Sequence, residues 1–322
     1  MKETMKKTHN LYQMKTKLLT LAPLLGMIFT IFIFAILTDG KTISAINLKN
    51  LSNQVVVTAL VAIGSIFAFS CGALDMSLSG CVCVSAIAGA IVASKTGSFT
   101  AMIATIVAVS LLIGLAKGLF AAYLELPVFI VTIVLGTILT SIGLVLLGKQ
   151  TIVSVSHCIT ISDVTWINVV VIAVFYIFAL ILFNYTKLGK SIRMQGGNIR
   201  SARQSGIRIR QNVIYSFLIG GVGVALAAIV LLLRTKTASA SSGGTIGTDI
   251  MVAIVLGGMP LSGGPRSKIS AALIGTVTIC ALNNGLVVLA VSNDIIQIIR
   301  GVIFLVVVFI TVLSYRTKML PR

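Results

Sequence analysis

Only seven acidic side chains occur in 322 residues, so each carboxylate is a candidate for chemistry. Glu3, Asp39 and Asp163 lie near chain or span ends and read as solvated. Asp294 sits in a short turn before the last apolar run, and Glu125 precedes Pro127 at a helix break. The other two are unusual. Asp75 lies in CGALDMSLSG between two apolar stretches, and Asp249 opens the short apolar stretch GTDIMVAIVLGG. A charge at the centre of a bilayer costs about 2.5–3.5 kcal/mol on insertion scales, so it persists only facing a cavity or a partner. Two readings stand for this pair. Either they brace broken helices beside a polar pathway, or each caps a helix at the membrane–water boundary, where Asp satisfies orphan amides. A proton relay would need a His or Glu at helical spacing to receive the proton, and none is there.

The remaining reactive residues point away from catalysis. The five cysteines (Cys71, Cys81, Cys83, Cys158, Cys280) lack metal-ligand spacing, and His9 and His157 are the only histidines; the cysteines read as small buried hydrophobes. No metal site is expected. Leu261-Ser262-Gly263-Gly264 spells the signature of ATP-binding cassette ATPases, but an ATPase also needs a G-x-x-x-x-G-K-[ST] loop to cradle phosphate. Gly189-Lys190-Ser191 fails at Asn184 and Gly40-Lys41-Thr42 fails at Ala35, where the first Gly should stand. The chain is therefore expected to be no enzyme, to hold no catalytic residue and to bind no cofactor of its own.

The elements that must position these residues follow from composition. The chain is 57% hydrophobic and 10% charged, against about 25% charged for an average soluble domain. It reads as an all-α polytopic membrane protein. The net charge of +18 does not mark a nucleic-acid binder, because the bases lie in short loops flanking apolar runs. A span needs about 20 apolar residues. Clear candidates are 18–37, 51–70, 99–124, 128–147, 164–183, 213–233, 269–290 and 295–314, with 78–94 and 249–258 short or glycine-broken. This gives eight to ten spans, ten if both doubtful segments cross.

Orientation follows from the basic loops. Residues 1–17 carry five Lys, and 187–210 (KLGKSIRMQGGNIRSARQSGIRIR) carries seven bases and no acid. The tail ends in Arg316, Lys318 and Arg322. Placing all three in the cytoplasm requires an even number of crossings on each side of the loop, which six before and four after satisfy. Residues 1–17 are then a basic cytoplasmic N-terminus, 18–316 one transmembrane domain with a cytoplasmic loop at 187–210, and 317–322 a cytoplasmic tail. No cleavage-site pattern follows the basic start, so the first span reads as retained.

Glycine clusters qualify this picture. The run from Gly257 to Gly264 cannot be regular helix, and irregular backbone at membrane depth must be buried in protein or line a cavity. The pairs Gly114/Gly118 and Gly220/Gly221 are suited to close helix packing. Residues 76–80 (MSLSG) and 259–263 (MPLSG) echo each other, as internal repeats in transporters do.

Together these residues resemble the permease subunit of ribose-type sugar-importing ATP-binding cassette transporters. The family pattern T-G-G-I-D-L-S-V-G is similar to Cys71–Ser79, and P-P-F-I-V-T-L-G-T to 126–137. G-G-N-P-E-A-A-R-L-S-G-I is similar to Gly196–Ile207, L-D-A-I-A-A-V-V-L-G-G-T-S-L-S-G-G to Thr248–Gly264, and N-G-L to Asn284-Gly285-Leu286. The family's Glu and Pro in the loop are Arg200 and Ile199 here, and Gly247 replaces its Glu before L-D; these departures fit a divergent permease, one member of a heterodimeric pair.

The resemblance implies a membrane subunit that hydrolyses no ATP. A separate cytoplasmic ATPase would dock on Gly196, Gly197, Asn198, Arg200, Ala202, Arg203, Ser205, Gly206 and Ile207. A second permease copy or paralogue completes the path, and an extracytoplasmic binding protein delivers a small sugar or sugar-like solute. Asp75, Ser77, Asp249, Gly257, Gly258, Ser262 and Asn284 are the candidate translocation residues, in a prokaryotic cell membrane. The competing classes are a secondary transporter, a channel or scaffold, and a related permease for nucleosides or branched-chain amino acids.

Overall fold

The computed structural model describes residues 21–124, 126–159, 164–260 and 262–316, with side chains to residue 309. The basic N-terminus (1–17), residues 18–20 of the first expected span, Glu125, Asp163, Leu261 and the tail 317–322 lie outside the described residues. The described residues include twelve α-helices, one 3-10 turn (Lys41–Ile43) and two short strands. In chain order these are α1 (Leu21–Leu37), α2 (Ala45–Ser70), α3 (Leu78–Thr96), α4 (Phe99–Tyr123), α5 (Val128–Leu147), β1 (Ile152–Ser154), α6 (Thr165–Tyr185), α7 (Lys187–Gly197), α8 (Ile199–Gln204), α9 (Ile209–Thr235), β2 (Thr237–Ser239), α10 (Ile246–Leu256), α11 (Ser270–Val288) and α12 (Asn293–Arg316).

Among the described residues, seven helices, α2 to α6, α9 and α11, are long and apolar enough to cross a membrane, and α1 and α10 are shorter apolar helices. One doubtful segment resolves clearly. Leu78–Thr96 is an unbroken 19-residue helix, closed by Gly97 in the left-handed conformation, and it is as much a span as its neighbours. The other, α10, has only 11 residues. At 1.5 Å per residue it is about 16 Å long, half of a bilayer core of roughly 30 Å.

The bundle has two ends. At one, β1 pairs antiparallel with β2, Val153 opposite Ala238; the start of α2 and the end of α11 lie there too. At the other lie the end of α2, the turns around 257–268, and α7 with α8. In the core α9 runs antiparallel to both α4 and α2, while α2 and α6 run parallel, Asn53 meeting Asn168 and Phe67 meeting Phe183. Gly114 and Gly118 of α4 face Phe217, Gly221 and Ile214 of α9, and a Cβ on Gly221 would press on the Ser110 carbonyl at 2.9 Å. Three of the four glycines expected at helix contacts therefore serve there, and the fourth, Gly220, lies against Gly64 of α2. The α2–α9 contact works the same way through Gly64 and Gly223. In a membrane, such close backbone approach supplies the van der Waals packing that hydrophobicity cannot.

Around this inner set the helices divide by exposure. α2, α3 and α9 are mostly buried, whereas α4, α5 and α6 present Leu, Ile, Val and Phe outward. Exposed apolar surface of that extent suits lipid or a protein neighbour. The large buried side chains include Phe67, Phe69, Phe183 and Phe217, with Phe67 edge-on to Phe183 at 5.3 Å.

Candidate translocation and coupling sites

Between α2 and α3 the chain abandons helix for residues 71–77 and runs extended through the protein interior. Asp75 lies in this stretch, 2% exposed. Its Oδ1 accepts hydrogen bonds from the Ser77 amide at 2.9 Å and the Ser77 hydroxyl at 2.6 Å. Its Oδ2 meets the Lys117 ammonium of α4 at 2.6 Å. Lys117 is completed by Cys81 Sγ at 3.3 Å and the Phe217 ring, 5.5 Å to the centroid. Thr132 of α5 ties the same stretch down, donating to the Leu74 carbonyl at 3.1 Å and accepting from the Met76 amide at 3.2 Å. Asp75 is thus buried and fully partnered, and it anchors irregular backbone inside protein, where the freed polar groups need partners.

The second carboxylate sits at the other break. A turn-rich segment, 240–245, descends from β2 to the start of α10. Gly247 donates its amide to Ser79 Oγ of α3 at 2.9 Å, so the first turns of α3 and α10 touch. One turn into α10, Asp249 faces Arg300 of α12, Nη1 to Oδ1 at 2.9 Å. Thr245 donates to Asp249 Oδ2 at 2.8 Å and accepts from Arg300 Nη1 at 2.8 Å. Arg300 Nε donates to Asn283 Oδ1 of α11 at 2.7 Å. Apart from the Arg300 ion pair, Asp249 Oδ1 accepts no hydrogen bond.

The other pathway candidates fall elsewhere. Asn284 exchanges amide hydrogen bonds with Asn47 of α2, at 2.7 and 3.0 Å, pinning α11 to α2 at the sheet end. Gly257 packs on Ala271, Gly258 on Pro23, and Ser262 beside Gly72, all at the opposite end. Of the candidate set only Asp75 and Ser77 touch directly; Asn284 adjoins Asn283 of the Asp249–Arg300 cluster, and Gly257, Gly258 and Ser262 share the opposite end. The echo between 76–80 and 259–263 does not mark equivalent positions either. Met76 lies against Gly247, at the start of α10, whereas 259–263 lies beyond the end of α10.

The loop at 187–210 folds into a helical hairpin. Thr186 caps α7 by accepting from the Gly189 amide, and Asn198 caps α8 by accepting from Arg200 and Ser201 at 3.0 and 3.1 Å. α8 ends in a Schellman turn: Gly206 has φ 77°, and Ile207 donates to the Ala202 carbonyl at 3.1 Å. The hairpin is fastened to the bundle through Asn212 of α9, which donates to Gln195 at 3.1 Å and accepts from Ser191 at 3.1 Å. A Cβ at Gly196 would collide with the Ser70 carbonyl, which accepts the Gly264 amide at 2.9 Å. The end of α2, the hairpin and the 262–265 turn therefore meet at one point. Ala202 is buried, while Ile199, Arg200, Arg203 and Ser205 are exposed.

Sequence reasoning missed Lys117, Arg300, Thr245, Asn283 and Asn47. For the two bases the signal was present: each interrupts a long apolar run, and a cation there needs a partner as much as an acid does. Auditing the acids alone left half of each pair unseen. Among the described residues no group of three or more His, Cys, Asp or Glu could hold a metal, and no disulfide joins the five cysteines.

Comparison with known proteins fits this architecture. Residues 47–308 match the family described as "Branched-chain amino acid transport system / permease component". The ribose import permease protein of Escherichia coli (strain K12) is 28% identical over 82% of this chain and 85% of its own length. That of Bacillus subtilis (strain 168) is 28% identical over 90% and 92%. The xylose transport system permease protein of Haemophilus influenzae is 29% identical over 86% and 92%. A solved structure described as an inward-facing conformation of a metal-chelate type ABC transporter superposes with TM-score 0.57, covering 90% of this chain and 98% of that one at 13% identity, a likeness of fold. The chain belongs to the branched-chain amino acid transport system permease family, as a multi-pass membrane permease.

Proposed function

We propose that this chain is the membrane-spanning subunit of an ATP-binding cassette importer for a small sugar or sugar-like solute, working in a prokaryotic cell membrane. The observation that carries the reading is the α7–α8 hairpin, an exposed basic helix pair fastened where α2 ends and where the 262–265 turn docks. A push on that hairpin reaches both breaks in the bundle. The end of α2 leads directly into the extended stretch holding Asp75, and the 262–265 turn lies a few residues beyond the end of α10, which carries Asp249. A separate cytoplasmic ATPase would supply the push through Gly196, Gly197, Asn198, Arg200, Ala202, Arg203, Ser205, Gly206 and Ile207, with acidic groups facing Arg200 and Arg203.

In this reading the chain crosses the bilayer ten times, six before the hairpin and four after, with both termini cytoplasmic. The sheet end faces outward and receives the binding protein, and a second permease copy or paralogue completes the path. The sugar assignment over amino acids rests on the ribose and xylose permeases among its relatives. The chain binds no cofactor itself, ATP being held by the partner subunit.

The test is uptake of radiolabelled D-ribose and D-xylose into vesicles carrying the chain with a partner ATPase and binding protein. Uptake should require ATP hydrolysis and stop when the ATPase is inactivated. Uptake persisting in ATP-depleted but energised vesicles would show a secondary transporter instead.

A further inference from the structure

The segment 240–248 (ASSGGTIGT) poses a physical problem. It is irregular for two-thirds of its length and rich in hydroxyls, and it approaches the middle of the bilayer, because α10 covers only half of the core and starts here. Yet one edge of it is uncovered: Ser241, Gly244 and Thr248 are exposed, and Ser242 and Thr245 partly so. Turn backbone and hydroxyls at that depth cannot face lipid; they must line a watery cavity or meet protein. Directly behind the edge stands the cluster of Asp249, Thr245, Asn283 and Arg300. Its ion pair is not sealed, since the Arg300 and Asp249 side chains keep 15% and 12% exposure. Asp249 Oδ1 is itself covered and has no hydrogen-bond partner, facing only the Arg300 guanidinium, so it is an acceptor left to be satisfied when that contact loosens.

We propose that Asp249, Arg300, Asn283 and Thr245, reached along the exposed edge of 241–248, form a contact site for the vicinal hydroxyls of a polyol crossing the membrane. The inference rests on the import reading and supplies it with a site. The chemistry is specific. A carboxylate accepts from two neighbouring hydroxyls, while a guanidinium donates from a rigid fork to two oxygens. An amide and a hydroxyl at the same place can each donate and accept. In the resting protein these groups satisfy one another. A passing diol exchanges with the Arg300–Asp249 contact group for group, so no charge is left bare at any point in the transfer. Substrate sites near the bilayer midplane at interrupted helices are a recurring arrangement in transporters. An apolar solute has nothing to offer these groups and would be rejected, as would an anion at Asp249.

Two measurements on the assembled complex test this. The first is uptake of D-ribose and D-xylose by Arg300→Gln, Arg300→Lys and Asp249→Asn, each normalised to assembled complex. Losing a hydrogen bond to a charged group should lower uptake of the better solute about tenfold for Arg300→Gln. The ribose-to-xylose ratio should also change, and Arg300→Lys should keep part of both. An unchanged ratio, or uptake lost only in proportion to assembly, would overturn the site. The second measurement needs no transport: Thr248→Cys in a Cys158→Ser background, probed with a water-soluble methanethiosulfonate. Labelling that slows in the presence of millimolar D-ribose or D-xylose supports the site. A thiol that stays unlabelled, or is labelled with no slowing by either sugar, refutes it. If labelling is slowed but the wild-type complex shows no ATP-dependent uptake, the import reading has failed while the contact site stands.

Discussion

Two carboxylates enter this membrane protein, and each is met by a base from a later helix, yet the two pairs are built to opposite ends. Asp75 and Lys117 are sealed, with side-chain exposures of 3% and 4%. Asp75 Oδ1 is met by Ser77 and Oδ2 by Lys117, whose ammonium also meets Cys81 and lies over the Phe217 ring. Asp249 and Arg300 keep several times that exposure, and their partners are hydroxyl and amide groups that water or a solute can replace. The difference separates two uses of one interaction. A sealed, fully satisfied pair fixes backbone that has left the helix; an open pair with exchangeable partners can be used during a transport cycle. Residue types alone would not tell them apart.

The sharpest way to break the comparison is to remove one member of each pair. Stripping a partner from a sealed pair leaves a bare buried charge, which costs about 3–5 kcal/mol. Lys117→Met or Asp75→Asn should therefore lower the denaturation midpoint in detergent strongly and reduce the yield of folded protein. The double variant Asp75→Asn/Lys117→Met removes both charges and should recover most of the loss. If the singles denature like wild type, the pair is no brace.

The same operation on the open pair should cost less, because water reaches the orphaned group. For Asp249→Asn or Arg300→Gln we expect about 1 kcal/mol of stability, in the range for a hydrogen bond to a partly solvated partner. The comparison collapses if the Arg300 variants destabilise as much as the Lys117 variants, measured side by side in one detergent. A stability loss smaller than the uptake loss is the pattern that sets a contact residue apart from a brace.

Much of the architecture was legible in the sequence because it depends on composition. Apolar run length located every long helix, and Gly114, Gly118 and Gly221 announced the α4–α9 contact. The caps of the α7–α8 hairpin are also local, with Thr186, Asn198 and Gly206 each acting within three residues. The site was less legible for a different reason. Whether Asp75 meets Lys117 or water depends on how α4 lies against the extended stretch, a contact spanning 42 positions. Asp249 and Arg300 are 51 apart in the chain, and Asn284 finds Asn47 across 237. A polar residue in an apolar run tells of an obligatory partner without naming it. The echo between 76–80 and 259–263 failed on the same ground: similar letters, but one segment starts a helix inside the bundle and the other closes a turn at its end.

A gentler change sharpens the contrast further. Ser77 donates both its amide and its hydroxyl to Asp75, whereas Thr245 shares one hydroxyl between Asp249 and Arg300. Removing the hydroxyl in Ser77→Ala leaves Asp75 with the backbone amide and Lys117, so about 1 kcal/mol should be lost rather than the full cost of a bare charge. Thr245→Val keeps the side chain's shape and frees one acceptor and one donor, but at a place water can enter. Its stability should change by a few tenths of a kcal/mol, within the range of ordinary surface substitutions. Thermal denaturation of the two variants together gives the ordering directly. Ser77→Ala should fall further than Thr245→Val, and the reverse order would mean that the open cluster, not the sealed one, holds the bundle together.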